Sequence, residues 1–329
     1  MSNYRIAIVN SSSFGRRFPS QMARLEKIGE VERITVDGMM HGKELAQKLN
    51  GYNLIIASVT PFFDREFFEN KDELLLISRH GIGYNNVDLE AAKAHGTFVS
   101  IVAPLVERDA VAENAVANLM CVMRLTIQAV KATNEDRWRD RAQFVGNGLT
   151  GKTIGVIGCG NIGSRVAEIL KHGFNSRLLA CDPALNKEWA DKHGIEEADL
   201  DTLLRESDVI SLNCTLNDTS YHILNDDAFN KMKKGVYITN TARGDLIDEE
   251  AVCRALDAGV VKGMAVDVMH DEPASNTHPY FRYDNVIVTP HTSAYTIECL
   301  EGMGEKCVSD VEHVVNNEVP DCCKVTIEK

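Results

Sequence analysis

Apolar and polar positions along this chain follow two rhythms. Short apolar runs at 5–9, 31–36, 54–58, 74–78 and 97–101 read as strands. Between them, apolar residues recur at helical spacing over 19–28, 43–49, 66–68 and 89–95, the last behind an Asp88 cap. The alternation resumes later, with strands expected at 153–157, 176–181, 209–212, 236–240, 263–268 and 286–289. Helices are expected at 187–193, 226–232 and 248–258, with Asp248 as a cap, and at 296–316; 323–327 reads as a last strand. Strand-helix alternation of this kind implies parallel sheets with helices on both faces, an α/β fold. Residues 106–133 carry the longest helical pattern, rich in alanine and valine with Met120 among them, so this helix is expected to be largely buried. Such a helix suits an interface between domains or subunits. The polar segment 134–148 then leads into the strand at 153–157.

The stretch 153–170, TIGVIGCGNIGSRVAEIL, organises the second half. An apolar, β-branched run ends in Gly158, Gly160 and Gly163, spaced G-x-G-x-x-G. Ile162, Val166, Ile169 and Leu170 then share one helix face. Strand, glycine turn and helix together form a dinucleotide-binding fingerprint. The first glycine permits the tight turn, the second lets backbone approach a pyrophosphate, and the third lets helix and strand pack closely. The helix start around Asn161 and Ile162 offers free N–H groups and a partial positive charge to phosphate. The next strand ends in Asp182, where the fingerprint places a carboxylate for the ribose hydroxyls. A carboxylate there repels a 2′-phosphate, so the expected cofactor is NAD rather than NADP; Arg177 lies at the far end of the same strand. The plainer alternative is a strand-turn-helix with an acidic turn residue. No such glycine loop follows the first strand, so residues 1 to about 100 form a separate α/β unit.

Bulk properties narrow the classes. The chain has 329 residues, which suggests two domains, and a net charge of −13, which argues against nucleic acid or an anionic membrane as main partner. No apolar run reaches transmembrane length, and the N-terminus carries no signal-peptide pattern. The nine cysteines are scattered singly except Cys322–Cys323 and form no CxxC pair, so they read as reduced thiols of a cytoplasmic protein. No metal site is expected. Cys159 and Cys214 lack a motif-placed base, which disfavours a catalytic cysteine.

Three late strands end alike. The strand at 236–240 runs into Thr241-Ala242-Arg243-Gly244, that at 263–268 into His270-Asp271-Glu272-Pro273, and that at 286–289 into Pro290-His291. Open α/β sheets bind ligands at this carboxyl edge. An arginine, a carboxylate and a histidine are thus expected to converge there. Taken singly, Arg243 pairing with Asp245, Glu272 as a turn residue, and His291 as a satisfied histidine are ordinary alternatives.

With these residues in view, the sequence resembles the D-isomer-specific 2-hydroxyacid dehydrogenase family. The matching segments are RHGIGYNNVDLEAA (79–92), IGCGNIGSRVA (157–167), NTARGDLIDEEAV (240–252), AVDVMHDEP (265–273) and VIVTPHTSA (286–294). The resemblance covers nearly the whole chain and implies two doubly wound parallel-sheet domains. A Rossmann NAD domain, 104–294, would be inserted into a flavodoxin-like substrate domain made of 1–103 and 295–329. It also implies that the Ile82 and Gly83 amides face the substrate carboxylate. Thr215, Thr241 and Asp267 would join the cofactor contacts, Asp267 at the nicotinamide carboxamide. Two segments depart from the family pattern: 213–216 reads Asn-Cys-Thr-Leu in place of His-x-Pro-Leu, and 102–109 lacks the usual Pro-Gly turn.

The expected chemistry is hydride exchange between NAD(H) and a 2-oxo or 2-hydroxy acid. Arg243 offers a planar fork of donors for the substrate carboxylate and carbonyl. His291 is the acid/base by residue type, and Glu272 would orient the imidazole and stabilise its protonated form. His80 and His270 are rival proton donors. Two other functions fit the same fold, an NAD-sensing corepressor-like binding protein and a formate- or phosphite-type dehydrogenase. A homodimer is expected, with the 106–133 helix in a two-fold interface.

Overall fold

The computed structural model describes residues 4–325 and Ile327. It divides into two compact units, one made of residues up to Glu107 together with the segment from Tyr295 onward, the other Arg108–Ala294. The first boundary lies at 107/108 rather than 103/104. Residues 102–107 stay with the first unit because Val102 N–H bonds Gly81 O, the Glu107 carboxylate takes the Ile82 amide, and Val106 packs on Gly302.

In the first unit, β1 (Tyr4–Val9), α1 (Pro19–Glu26), β2 (Gly29–Ile34), α2 (Gly42–Lys48), β3 (Leu54–Ala57), α3 (Arg65–Asn70), β4 (Leu76–Arg79), α4 (Leu89–His95) and β5 (Phe98–Ser100) alternate. The five strands are parallel, in the order β2-β1-β3-β4-β5, the flavodoxin-like arrangement. Period-two alternation explains the two cores. Ala7, Val9, Ile55, Ala57, Ile77 and Val99 face one layer, with Phe67, Phe68 and Leu45. Ile6, Ile8, Leu54, Ile56 and Leu76 face the other.

The second unit holds α5 (Arg108–Met123), α6 (Thr126–Asn134), β6 (Thr153–Ile157), α7 (Asn161–Phe174), β7 (Arg177–Cys181), α8 (Lys187–His193), β8 (Glu196–Glu197), α9 (Leu200–Glu206), β9 (Val209–Leu212), α10 (Asp226–Lys231), β10 (Val236–Asn240), α11 (Glu249–Asp257), β11 (Val261–Val266) and β12 (Val286–Val288). Its seven strands are all parallel, in the order β12-β11-β10-β9-β6-β7-β8. The order reverses between β6 and β9, which makes their carboxyl ends the switch point of a doubly wound sheet. The chain then returns to the first unit with α12 (Ile297–Val315), capped by Thr296.

Several elements differ from the sequence reading. The expected single helix at 106–133 is two helices bent by 63°. Leu125 takes a left-handed backbone at the break (φ 53), so the i to i−4 ladder cannot continue. Only α5 is largely buried; α6 buries Ala132 alone, while Ile127 and Val130 are exposed. The longest helix is instead α12, 19 residues. A short 3-10 turn interrupts the polar segment at Trp138–Gln143, and α9, absent from the sequence reading, starts at an Asp199 cap. The strand expected at 323–327 falls partly outside the described residues; Cys323 forms one antiparallel bridge to Ser100.

α12 lays Cys307, Val308, Val311 and Val314 on the second core, and a buried polar cluster fixes its register. The Asp310 carboxylate, fully buried, accepts from Ser78 Oγ at 2.7 Å, from Ser100 Oγ and from Lys306 Nζ. Burial pushes the Asp310 carboxyl up against the pull of Lys306 and the two serines. Removing one partner of such a pair strands the other charge. Asp310→Leu should therefore cost about 3–5 kcal/mol, and Lys306→Met added to it should recover most of the loss. Urea unfolding of the two variants checks this; equal destabilisation by the single and double changes would contradict it.

Candidate active site

The glycine turn is built as a cradle. Gly158 sits at φ +85, and a Cβ there would lie 2.5 Å from Cys214 Cα and N. A Cβ on Gly163 would lie 1.9 Å from Gly158 O, so α7 can pack this closely only without a side chain. Gly160 is the N-cap residue of α7, and a Cβ there would meet nothing within 4 Å. That space lies at a helix N-terminus whose cap makes no side-chain hydrogen bond. Asn161 and Ile162 form the first helical positions, so their N–H groups belong to the unbonded first turn. The turn therefore fits a pyrophosphate.

Asp182 stands at the end of β7 and grips the cradle. Its Oδ2 accepts from Cys159 N at 2.7 Å, and its Oδ1 from Ala184 N at 2.8 Å. A carboxylate retains lone pairs for ribose hydroxyls after two such bonds. Arg177, at the other end of β7, is engaged by Glu196 and Glu206. Burial pushes the Cys159 and Cys214 thiols up, to about 12 and about 11, which keeps both protonated and unreactive. Thr215 is exposed just past β9, and Thr241 half-buried just past β10.

The three strand-end residues come together within this unit. Arg243 follows β10, with its Nη1 on Ala242 O at 2.6 Å and its own carbonyl held by Asn240 Nδ2 at 2.7 Å. Gly244 then passes against Met269: a Cβ would lie 2.1 Å from Met269 C. This contact joins the Arg243 turn to the loop carrying Glu272. Glu272 Oε1 accepts from Met269 N at 3.0 Å, and its Oε2 meets His291 Nδ1 at 2.7 Å. Burial alone would push the Glu272 carboxyl up. The His291 hydrogen bond and charge, the Met269 amide and the Arg243 charge outweigh it and hold the carboxyl below its ordinary range. Glu272 is thus a carboxylate bonded to an imidazole, not a plain turn residue.

His291 has a left-handed backbone (φ 53), uncommon outside glycine. Its N–H bonds both Asp267 O and Thr289 O at 2.9 Å. Asp267, only 2% exposed, accepts from Thr289 Oγ1 at 2.5 Å, Thr292 N at 3.0 Å and Ser293 N at 2.7 Å. Asn118 and Asn114 of α5 brace the same loop through Thr289 and Ser293. The sequence reading gave Asp267 to the nicotinamide. In the structure its carboxylate holds the His291 loop through three donors. Asn114, Asn118 and Asn240 carried no signal of their own.

The rival histidines sit otherwise. His270 is exposed and pairs with Asp245, whose hydrogen bond raises its pKa. His80, in the first unit, packs edge-on against Phe14; burial and then the Arg79 charge push it down to about 4, so it is neutral near pH 7. Ile82 and Gly83 lie in the same loop after β4. Arg79, fully buried, braces that loop by donating to Gly83 O at 3.0 Å and to Ala57 O at 2.6 Å. The Ile82 amide, expected to face a substrate carboxylate, donates to Glu107 Oε1 at 3.0 Å. Among the described residues, no three His, Cys, Asp or Glu side chains are arranged to hold a metal, and no single helix is long and apolar enough to cross a membrane.

Comparison with known proteins gives the same outline. Residues 116–293 match the family model described as D-isomer specific 2-hydroxyacid dehydrogenase, NAD binding domain. The glyoxylate reductase of Thermofilum pendens is 34% identical over 284 residues, which cover 84% of this chain and 83% of that protein. The D-3-phosphoglycerate dehydrogenase of Archaeoglobus fulgidus is 36% identical over 272 residues, 83% of this chain and 51% of that protein. This chain spans about half the length of the phosphoglycerate dehydrogenases it matches. The crystal structure of D-lactate dehydrogenase from Aquifex aeolicus, complexed with NAD and lactic acid, has a TM-score of 0.85 at 26% identity, covering 98% of this chain and 100% of that one. A glycine cradle that fits a pyrophosphate, the Asp182 carboxylate beside it and a model match across residues 116–293 lead to one conclusion: this chain belongs to the D-isomer-specific 2-hydroxyacid dehydrogenase family, and its second unit is that family's NAD-binding domain.

Proposed function

We propose that this chain is an NAD-dependent oxidoreductase interconverting a D-2-hydroxy acid and its 2-oxo acid. The observation that carries this reading is the 2.7 Å His291–Glu272 pair, set beside Arg243 at the carboxyl edge of the NAD-binding sheet. When bound, NADH supplies a hydride to the ketone carbon, and NAD accepts it in the reverse direction. Arg243 fixes the substrate carboxylate and polarises the carbonyl with its planar fork. With His291 Nδ1 on Glu272, Nε2 remains to give a proton to the new alkoxide oxygen, or to take one from the alcohol. Glu272 fixes the ring's orientation and balances its positive charge. The first unit then serves as the substrate domain, with Ile82 and Gly83 at the substrate carboxylate. All nine cysteines are free thiols, which suits a reducing cytoplasm. The test is NADH consumption with a panel of 2-oxo acids. Turnover of at least one is expected; none, in a protein that binds NADH, would overturn the reading.

The Asp182 carboxylate should make the enzyme favour NADH over NADPH. Asp182→Ala should narrow that gap and weaken both cofactors, because Cys159 N–H loses its acceptor. kcat/KM for both cofactors checks this, and equal values in the parent would contradict it.

Glu272→Gln keeps the shape and removes the negative charge that faces His291 Nδ1. kcat should fall for both ketone reduction and alcohol oxidation, with NADH affinity kept, because the ring loses the group that orients it and balances its charge. Steady-state kinetics in both directions with an NADH titration checks this; a parent-like kcat in a folded, NADH-binding variant would remove Glu272 from the mechanism.

The homodimer reading is supported by α6 and the segment after it rather than by buried α5. Ile127, Val130, Trp138 and Val145 are all more than half exposed there, an apolar run of the kind that partners cover. Light scattering should give twice the 36.4 kDa chain mass, and Val130→Glu with Trp138→Glu should return the monomer.

A further inference from the structure

The loop after β1 carries groups that the strand-end site does not use. It reads Asn10-Ser11-Ser12-Ser13-Phe14-Gly15-Arg16-Arg17. In the strand order β2-β1-β3-β4-β5 the winding reverses between β1 and β3, and open α/β sheets bind ligands at the carboxyl ends of such a pair. Asn10 ties that edge together. It takes a left-handed backbone (φ 49), its Oδ1 accepts from Val36 N at 2.9 Å, and its Nδ2 donates to Thr60 Oγ1 at 3.1 Å. Two of the loop's carbonyls, Ser11 O and Phe14 O, are taken by the Arg33 guanidinium, the first at 3.4 Å. Among the described residues, the Ser12, Ser13 and Gly15 amides meet no acceptor. Ser12 Oγ and Tyr295 OH, 3.3 Å apart, add hydroxyl donors beside them.

Charge points the same way. The chain carries a net charge of −13, and Arg24, Arg165, Arg177 and Arg254 each sit against a carboxylate. Arg16, Arg17 and Arg33 instead meet no carboxylate among the described residues. Burial, and then the Arg16 charge, draws the Arg33 guanidinium below its ordinary range. Two like charges held this close cost free energy that a bound anion recovers. We propose that the Ser12 and Ser13 amides, with Arg16 and Arg33, bind a phosphate group. Every group of this site belongs to the first unit. A guanidinium fork matches phosphate oxygens in pairs, and successive loop amides make a concavity for anions. Phosphate carries nearly two negative charges near neutral pH and balances both guanidiniums, whereas a single carboxylate leaves one uncompensated.

Isothermal titration of the full chain tests this, with saturating NADH so that the glycine cradle is filled. Inorganic phosphate is the first probe and glycerol 3-phosphate the second; at least one should bind. Tighter binding of the ester assigns the loop to a phosphorylated small molecule, and equal or weaker binding assigns it to free phosphate. Arg16→Ala should weaken whichever probe binds by about tenfold, the worth of one charge-assisted contact, and Arg16→Glu should weaken it further. Arg16 is exposed, so NADH affinity should stay as in the parent. A parent that binds neither probe, by heat or by a rise in melting temperature, overturns the proposal. Parent-like affinity in Arg16→Ala overturns it as well, because the anion then sits elsewhere, as at Arg243.

Discussion

Asp267 is the buried charge on which the candidate site depends. A carboxylate out of water is costly unless donors replace its hydration. Here three donors do so, and two of them are backbone amides on the far side of His291. The loop is thereby tied down before and after the histidine, while the Asp267 carbonyl takes the histidine's own N–H. This explains how a non-glycine residue holds φ 53, a conformation that costs on the order of 1–3 kcal/mol and persists only where the surroundings over-determine it. The strain falls on the residue that meets Glu272. The 2.7 Å imidazole–carboxylate contact is thus a consequence of the loop, not its cause.

The same economy of close approach recurs along the sheet edge. Gly158 touches the backbone after β9, and Gly244 touches the backbone after β11. Both positions admit no Cβ without a shift of backbone. Neighbouring strand ends are thereby drawn together in pairs, so the phosphate cradle and the Arg243–Glu272 region are each a junction of two loops. The rigid part of the site is backbone against backbone; the side chains are carried on it.

Much of this was legible in the sequence because it is local. Strand, glycine turn and helix at 153–170 need only spacing. The Asp88 and Asp248 caps need only the residue that precedes a helical pattern. Charged residues just past apolar strands announce a carboxyl edge, and family resemblance supplied their order. What was hidden is tertiary. α5 is apolar on most sides, so nothing in its pattern marks the break at Leu125, where no glycine or proline stands. α9 was missed although Asp199 caps it, because a single seven-residue helix between strands leaves a weak period. That Asp182 holds Cys159, that Asp267 serves its own loop, and that Glu107 takes the Ile82 amide are contacts between distant segments, for which spacing carries no signal.

Glu107 and Arg79 show how one fold can keep a loop and change its chemistry. Arg79 is buried where β4 ends, and three carbonyl groups of Ala57, Ser58 and Gly83 receive its donors. A guanidinium so placed is part of the loop's architecture, because removing it would take a donor from each of those carbonyls. Its positive potential cannot be tuned away without losing the loop. A carboxylate added from the neighbouring 102–109 segment can adjust that potential with no change to the sheet or to Arg79. The variable element is therefore one side chain at the end of a turn, and it acts on the Ile82 amide through a single hydrogen bond. The chemistry at that amide can change while the strand ends of the other unit, fixed by Asp267 and the glycine contacts, stay as they are.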